Sequence, residues 1–134
     1  MTDSIEQEIQ AKGLTAPRIT PADIEAAISS VHYFIASDAI QHDLAVHECG
    51  PEGWRLASTQ LLTICVLQLR NGFTVTGESA CASPENFDAE IGRKIARQNA
   101  VQKVWPLEGY LLRDRLHQRA LLEAEPKTGR GAQE

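Results

Sequence analysis

The sequence predicts an α+β fold in which an antiparallel β-hairpin is packed with three or so helices. A run of β-favouring residues, Leu62 to Leu69, is followed by Asn71-Gly72 and by a short returning run, Phe73 to Thr76. Asn-Gly between two such runs is the pair most typical of a type I′ hairpin turn. Two proline-marked starts, Thr20-Pro21 and Ser83-Pro84, are each followed by apolar residues at helical spacing and predict the longer helices.

The length of 134 residues is that of one domain, which we place at residues 20–124. Residues 1–19 carry mixed charge and are interrupted by Gly13 and Pro17, so we expect a flexible N-terminal arm. Residues 125–134 hold nothing to bury and are expected to form a disordered tail.

The first domain helix should begin with Thr20 as N-cap, Pro21 in the first position and Asp23 completing a capping box. It is predicted to run to about residue 36, because apolar residues follow at helical spacing: Ile24, Ala27, Ile28, Val31 and Ile35. Residues 37–58 show no clear pattern, and Trp54 is expected to hold this loop against the body.

A two-residue turn at Asn71-Gly72 would pair Arg70 with Phe73 and Leu67 with Thr76. Both faces of the first strand are then largely apolar, and a two-stranded ribbon alone is marginal in water. We therefore expect the sheet to be extended across a homo-oligomer interface by a second copy of the ribbon.

The second long helix should start at Ser83 and end near residue 104, before Pro106 breaks the chain and a shorter helix follows. One side of this helix is a stripe of small residues, which permits close approach of another helix. The residues predicted to form the oligomer interface are Leu67, Leu69, Ala89, Gly92, Ala96 and Ala100.

The composition excludes several classes of protein. A net charge of −5 argues against a protein that grips nucleic-acid phosphates, since that affinity needs clustered Lys and Arg. No apolar run approaches the roughly 18 to 20 residues that span a bilayer, so we expect no membrane partner. Three cysteines, without an apolar leader in the first twenty residues, favour a reducing cytoplasm.

Two groups of potentially reactive side chains lack the further residues that their chemistry requires. His42, His47 and Cys49, with Glu48 among them, lack the second ligand pair that a structural zinc site needs, so a polar loop is the preferred interpretation. Ser79 and Cys81 have neither a nucleophile elbow nor a histidine nearby in sequence. The sequence thus predicts no metal, no cofactor and no enzymatic activity.

The basic residues of the second long helix could simply face solvent, or they could form an anion-binding site. Arg93, Lys94 and Arg97 share one side of the second long helix, with Glu90 one turn before as a pairing partner. The connection 76–80 brings small polar groups towards the start of that helix. The predicted ligand-binding residues are Arg93, Arg97, Lys94, Thr74, Thr76, Glu78, Ser79 and Tyr33.

Residues 71–112, NGFTVTGESACASPENFDAEIGRKIARQNAVQKVWPLEGYLL, with the preceding LLTICVLQLR, resemble a widespread family of small tailed-phage accessory proteins, the gp49/gene 66 family. The resemblance covers about half of the chain and is ungapped. It implies a phage or prophage product outside the virion-structural set, in the cytoplasm of a bacterial host. It supplies no catalytic residues.

The family resemblance and the residue patterns together favour a non-catalytic accessory protein that acts by binding during infection. One hypothesis is a host-defence antagonist that sequesters a small nucleotide-like signal at a subunit interface. The alternative is a protein that binds and blocks a host protein. An enzyme of unknown type is the third.

Overall fold

The computed structural model describes residues 2–49 and 55–124; Trp54 and the predicted tail, 125–134, lie outside them. The elements are α1 (Thr2–Ala11), α2 (Pro21–Ala27), β1 (Ile28–Ile35), α3 (Ala36–Ile40), β2 (Leu62–Leu69), β3 (Thr74–Ala80) and α4 (Ala89–Ala124). Single 3-10 turns at Thr59–Leu61 and Pro84–Asn86 precede β2 and α4. The predicted α+β class is confirmed.

The sheet has three antiparallel strands in the order β1-β2-β3. The strand that joins the predicted hairpin, β1, comes from a segment that the sequence predicts to be helical. The predicted capping box is present, because Thr20 Oγ1 accepts a hydrogen bond from Asp23 N at 3.1 Å and the Asp23 carboxylate accepts one from Thr20 N at 2.9 Å. The helix nevertheless ends at Ala27.

Residues 28–35 are β1, so the predicted helix is wrong beyond Ala27. The segment is rich in β-branched and aromatic residues, and its apolar helical spacing is outweighed by pairing with β2. Val31 lies opposite Leu67 and Tyr33 opposite Cys65. β1 therefore covers one edge of the hairpin from within the chain, where the sequence led us to expect a second copy.

The hairpin turn differs by one residue from the predicted turn. Leu69 N donates to Phe73 O at 2.8 Å and Gly72 N donates to Leu69 O at 2.9 Å, which gives a three-residue loop. Gly72 has a φ of 89°, whereas no residue other than glycine has a positive φ in the described part of the chain. The type I′ turn is therefore wrong, and Leu67 pairs with Val75 instead of Thr76.

Helix α4 packs over β2 and β3 at very close range. A Cβ atom added to Gly77 of β3 would overlap the backbone of Ala96 and Ala100. The small-residue stripe thus packs on the chain's own sheet, and Ala96, Ala100 and Gly92 are buried there. Close approach by α4 explains the absence of larger side chains at these positions.

The same packing accounts for most residues of the predicted oligomer interface. Leu67 and Leu69 are buried beneath α4, in a core that also contains Ile24 and Val104. Ala89 alone of the predicted set is exposed, in the first turn of α4. Self-association remains a prediction, and it would have to use a surface other than these buried residues.

α4 runs without a break through Pro106, so the predicted pair of shorter helices is wrong. Pro106 and Gln102 are both exposed, and water can reach the carbonyl that lacks its helical donor. The helix also starts later than predicted: Asp88 Oδ1 accepts a hydrogen bond from Ile91 N at 3.0 Å, and Ser83 begins only a 3-10 turn.

α4 is about twice as long as the sheet beneath it. Its 36 residues span about 54 Å, while the longest strands have eight residues and span about 26 Å. Residues 107–124 of α4 consequently reach the hairpin turn, where Leu107 still packs against the core, and continue past it; we call this part the overhang. None of the described helices is both long and apolar enough to cross a membrane.

Helix α1 lies inside the segment predicted to be an arm. Arg18 Nη1 and Nη2 donate to the two Glu6 carboxylate oxygens at 2.7 and 2.8 Å. These hydrogen bonds, with a further one from Gln10, lower the pKa of Glu6 from 4.5 to about 2. The ion pair ties α1 to the segment that leads into α2.

Candidate functional site

The structure brings three of the predicted ligand-binding residues together on one side of α4. Arg93 and Arg97 lie one helical turn apart and both act electrostatically on the Tyr33 phenol of β1. Arg97 Nη2 donates to Glu25 Oε2 at 2.8 Å and Oε1 at 3.1 Å, so α2 supplies a carboxylate that the sequence did not reveal. The cluster therefore holds one paired and one exposed guanidinium group beside an aromatic ring.

The ring and its neighbours have shifted proton affinities with clear causes. Partial burial raises the pKa of Tyr33, while the positive charges of Arg97 and Arg93 act in the opposite direction. The hydrogen bond to Glu25 raises the pKa of Arg97, which stays charged. Burial raises the pKa of Cys65, the cross-strand neighbour of Tyr33. Tyr33 is thus a neutral phenol, 37% exposed, next to cations.

The remaining predicted residues lie elsewhere. Lys94 pairs with Glu90 at 3.4 Å on the solvent side of α4. The exposed side chains of Thr74, Thr76 and Glu78 belong to the face of the sheet opposite α4, because they alternate with Val75 and Gly77, which face the helix. One chain therefore does not place them beside the arginines.

Ser79 lines a small cleft of about 170 Å³ with Cys81, Phe87 and Ile91. The Cys81 thiol donates to Ser83 O at 3.1 Å. His42, which the sequence placed near a possible metal ligand set, accepts a hydrogen bond from Leu44 N at 3.1 Å through Nδ1. In the described ranges, no three His, Cys, Asp or Glu side chains are grouped as metal ligands would be.

A second candidate site was missed by the sequence reasoning. Where α4 leaves the sheet, an apolar groove of about 410 Å³ lies between the helix and the hairpin turn. Its lining residues are Ala27, Leu69, Phe73, Leu107, Tyr110 and Leu111, with Arg70, Asn71, Glu108 and Arg115 at its polar margin. The groove exists because α4 continues through Pro106, which the sequence reasoning took as a break.

Two aromatic side chains stand exposed at this groove. Phe73 is 54% exposed and Tyr110 is 73% exposed. Beyond them the overhang carries the exposed residues Leu121 and Leu122. Arg70 Nε donates to Ala26 O, which fixes its stem against α2 at the margin of the groove. The end of the molecule that holds the hairpin turn therefore exposes several large apolar side chains close to one groove.

Comparison with known proteins gives one match. A family model described as "Phage protein (N4 Gp49/phage Sf6 gene 66) family" matches residues 19–116. No curated protein matches the chain, and no solved structure does. The match includes both the arginine cluster and the groove, and it starts well before the residues that carry the resemblance noted above.

Proposed function

The chain belongs to the phage protein (N4 Gp49/phage Sf6 gene 66) family, and on that premise we propose that it is a non-catalytic accessory protein that binds a protein of the infected host cell. The observation that carries this proposal is the apolar groove with its exposed Phe73 and Tyr110. By blocking its partner, the protein would act as an antagonist of host defence.

The chemistry of the groove suits a protein surface. Protein interfaces are enriched in Tyr, Phe and Arg, and their binding energy is concentrated in a few aromatic anchors surrounded by polar residues. Here the two exposed rings lie at an apolar floor, and Arg70, Glu108 and Arg115 supply the polar margin.

The proposal is tested by photocrosslinking in infected cells. A photoreactive phenylalanine analogue replaces Phe73 or Tyr110, and the same analogue replaces Ile91 as a matched control. Ile91 is 55% exposed on the first half of α4, away from the groove. We expect both groove positions to form an adduct with one and the same host protein, and position 91 to form none.

A Tyr110→Glu variant that carries the photoreactive residue at position 73 sharpens the test. Because Tyr110 is exposed, the variant should keep the parent's melting temperature, while the charge in the groove abolishes the adduct. Adducts that contain only further copies of this chain, or equal adducts at positions 73 and 91, would overturn the proposal.

We propose sequestration of a small nucleotide-like anion as a second candidate, supported by the cluster of Tyr33, Arg93 and Arg97. A guanidinium group binds phosphate in a bidentate manner, and an aromatic ring stacks on a base. Arg93 is the informative position, since reversing the charge of Arg97 would leave Glu25 facing a second carboxylate.

Calorimetric titration with a cyclic dinucleotide tests this candidate. Arg93→Gln should abolish the heat of binding, whereas Lys94→Gln, next to it and also exposed, should retain it. Absence of heat with the parent protein would exclude this nucleotide as a ligand and contradict the candidate. Equal loss in both variants would show only a general charge effect and contradict the assigned site.

A further inference from the structure

The two edges of the sheet differ in how they are protected. Leu69 N bonds to Phe73 O, so the odd-numbered residues of β2 direct their backbone groups to β3 and the even-numbered ones to β1. The register then turns the backbone groups of Val31, Tyr33 and Ile35 away from the sheet at one edge. At the other edge, those of Thr76 and Glu78 point outward.

The β3 edge is covered by side chains of α4. Lys103 Nζ donates to Thr76 O at 2.7 Å, and Asn99 Nδ2 donates to Glu78 O at 2.7 Å. These bonds occupy outward carbonyl groups and place a lysine across the edge, which is a common way of preventing strand addition. A further strand is therefore blocked at β3.

The β1 edge has no such cover from α4, which packs over β2 and β3. Residues 28–35 contain no Asp, Glu, Lys or Arg, and no second strand pairs with β1 among residues 2–49 and 55–124. Long uncharged edges are usually paired or blunted, because their backbone groups form a template for another strand. The side chains along this edge include Tyr33 and Phe34, which are both more than a third exposed.

We infer that β1 pairs antiparallel with β1 of a second copy of this chain, which joins the two sheets into one of six strands. Antiparallel pairing of a strand with itself is compatible with a two-fold axis, so one surface serves both copies. The strand holds no Asp, Glu, Lys or Arg, so the new pair sets no two of these side chains with like charge against each other.

The helices leave room for this arrangement. Strands are about 4.8 Å apart, and α4 lies over the boundary of β2 and β3, so the two α4 axes would be about 19 Å apart. Subtracting a helix diameter of about 10 to 12 Å leaves a gap of roughly 8 Å. Val31 and Tyr33 of both copies would form the floor of that gap, and Arg93 and Arg97 of both would stand at its sides.

The gap between the two α4 helices would be the complete form of the anion site, since each copy supplies one half of it. Four guanidinium groups would face it, two of them neutralised by Glu25. This ligand role rests on the second candidate function above, whereas the strand pairing does not depend on it.

The pairing is tested by light scattering on purified protein over a range of concentrations, without ligand. Tyr33→Pro removes an outward N–H and suits an edge strand, so it should give a folded single copy. Thr76→Pro makes the matched change at the other edge and should leave the dimer intact. In the parent, amide exchange at Val31, Tyr33 and Ile35 should slow as concentration rises.

A parent mass of one copy at every concentration would overturn the inference. So would a dimer that Tyr33→Pro leaves intact, or one whose amides at positions 31, 33 and 35 exchange at a rate independent of concentration. Since the measurement uses neither host protein nor nucleotide, its failure is separate from failure of either proposed function.

Discussion

Among the described glycines, Gly77 is the one where an added methyl group should lower the stability of the fold most. A Cβ atom there would lie 2.8 Å from Ala100 Cα and still closer to the backbone N of Ala100 and the carbonyl O of Ala96, where ordinary contacts begin at 3.4 Å. All three atoms belong to the helix backbone, so no side chain can rotate away. α4 and β3 must separate along their whole contact.

The cost follows from that separation. A gap of about 0.5 to 1 Å forfeits a quarter to a half of the dispersion energy at each contact it opens, and overpacking a core typically costs 1 to 3 kcal/mol. Because rigid backbone is on both sides, we expect Gly77→Ala to lower the free energy of unfolding by about 3 kcal/mol, the upper end of that range. The melting temperature should fall by about 10 °C.

Thermal and urea unfolding measure this effect, with Gly109→Ala as the control. The control makes the same chemical change in the exposed part of α4, where nothing lies within 4 Å of the added Cβ. It should gain about 0.5 to 1 kcal/mol, because alanine is the better helix former. A Gly77→Ala protein that melts with the parent would refute the close helix-to-sheet packing described here.

Three further changes address the turn, the core and the N-terminal ion pair. Gly72→Val forces a β-branched residue to a φ of 89° and should cost at least about 1 to 2 kcal/mol in urea unfolding; parental stability would contradict the turn geometry. Thr63→Val removes a buried hydroxyl that has no hydrogen-bond partner within the described part of the chain, and it should raise the free energy of unfolding by about 1 kcal/mol; a loss of stability would show that the hydroxyl is satisfied. Because Arg18 depresses the pKa of Glu6 from 4.5 to about 2, the pair's contribution is complete above pH 4.5 and disappears as pH falls towards 2. Helicity of α1, followed by NMR, should fall over this window in the parent, and a parent curve identical to that of Arg18→Gln would contradict the pairing.

The parts of the fold that depend on neighbouring residues could be predicted from the sequence. The capping box at Thr20 and Asp23 uses side chains three residues apart, and the hairpin joins two runs that are separated by a short loop. Gly72 was identified correctly as a turn residue. The loop length was not, because Asn-Gly also suits a three-residue loop in which only the glycine has a positive φ.

The errors arose where distant contacts decide the structure. Residues 28–35 satisfy both a helical spacing and a β composition. Pairing with β2, whose residues lie 28 to 41 positions later in the sequence, selects the strand. Pro106 is a helix breaker by its local chemistry, but α4 is held on the sheet before it and continues after it. Neither outcome is encoded within a window of a few residues.

The candidate sites likewise combine features set by neighbouring residues, which could be predicted, with features set by distant contacts, which could not. The helical spacing of Arg93 and Arg97 was sufficient to place them on one side of α4. The partner Glu25 and the neighbour Tyr33 come from other elements, and only the sheet order brings them together. The groove at Phe73 and Tyr110 joins a turn to a helix that the sequence reasoning had broken, so it could not be anticipated.

The overhang also determines how much order a binding partner must impose. Helix nucleation is the costly step in helix formation, and in α4 the half that is fixed to the sheet already provides the nucleus. Residues 107–124 need only continue it, and most of them favour helix. A partner that docks on Tyr110 or Leu111 meets an already shaped surface and loses little affinity to ordering, unlike one that must fold a disordered segment.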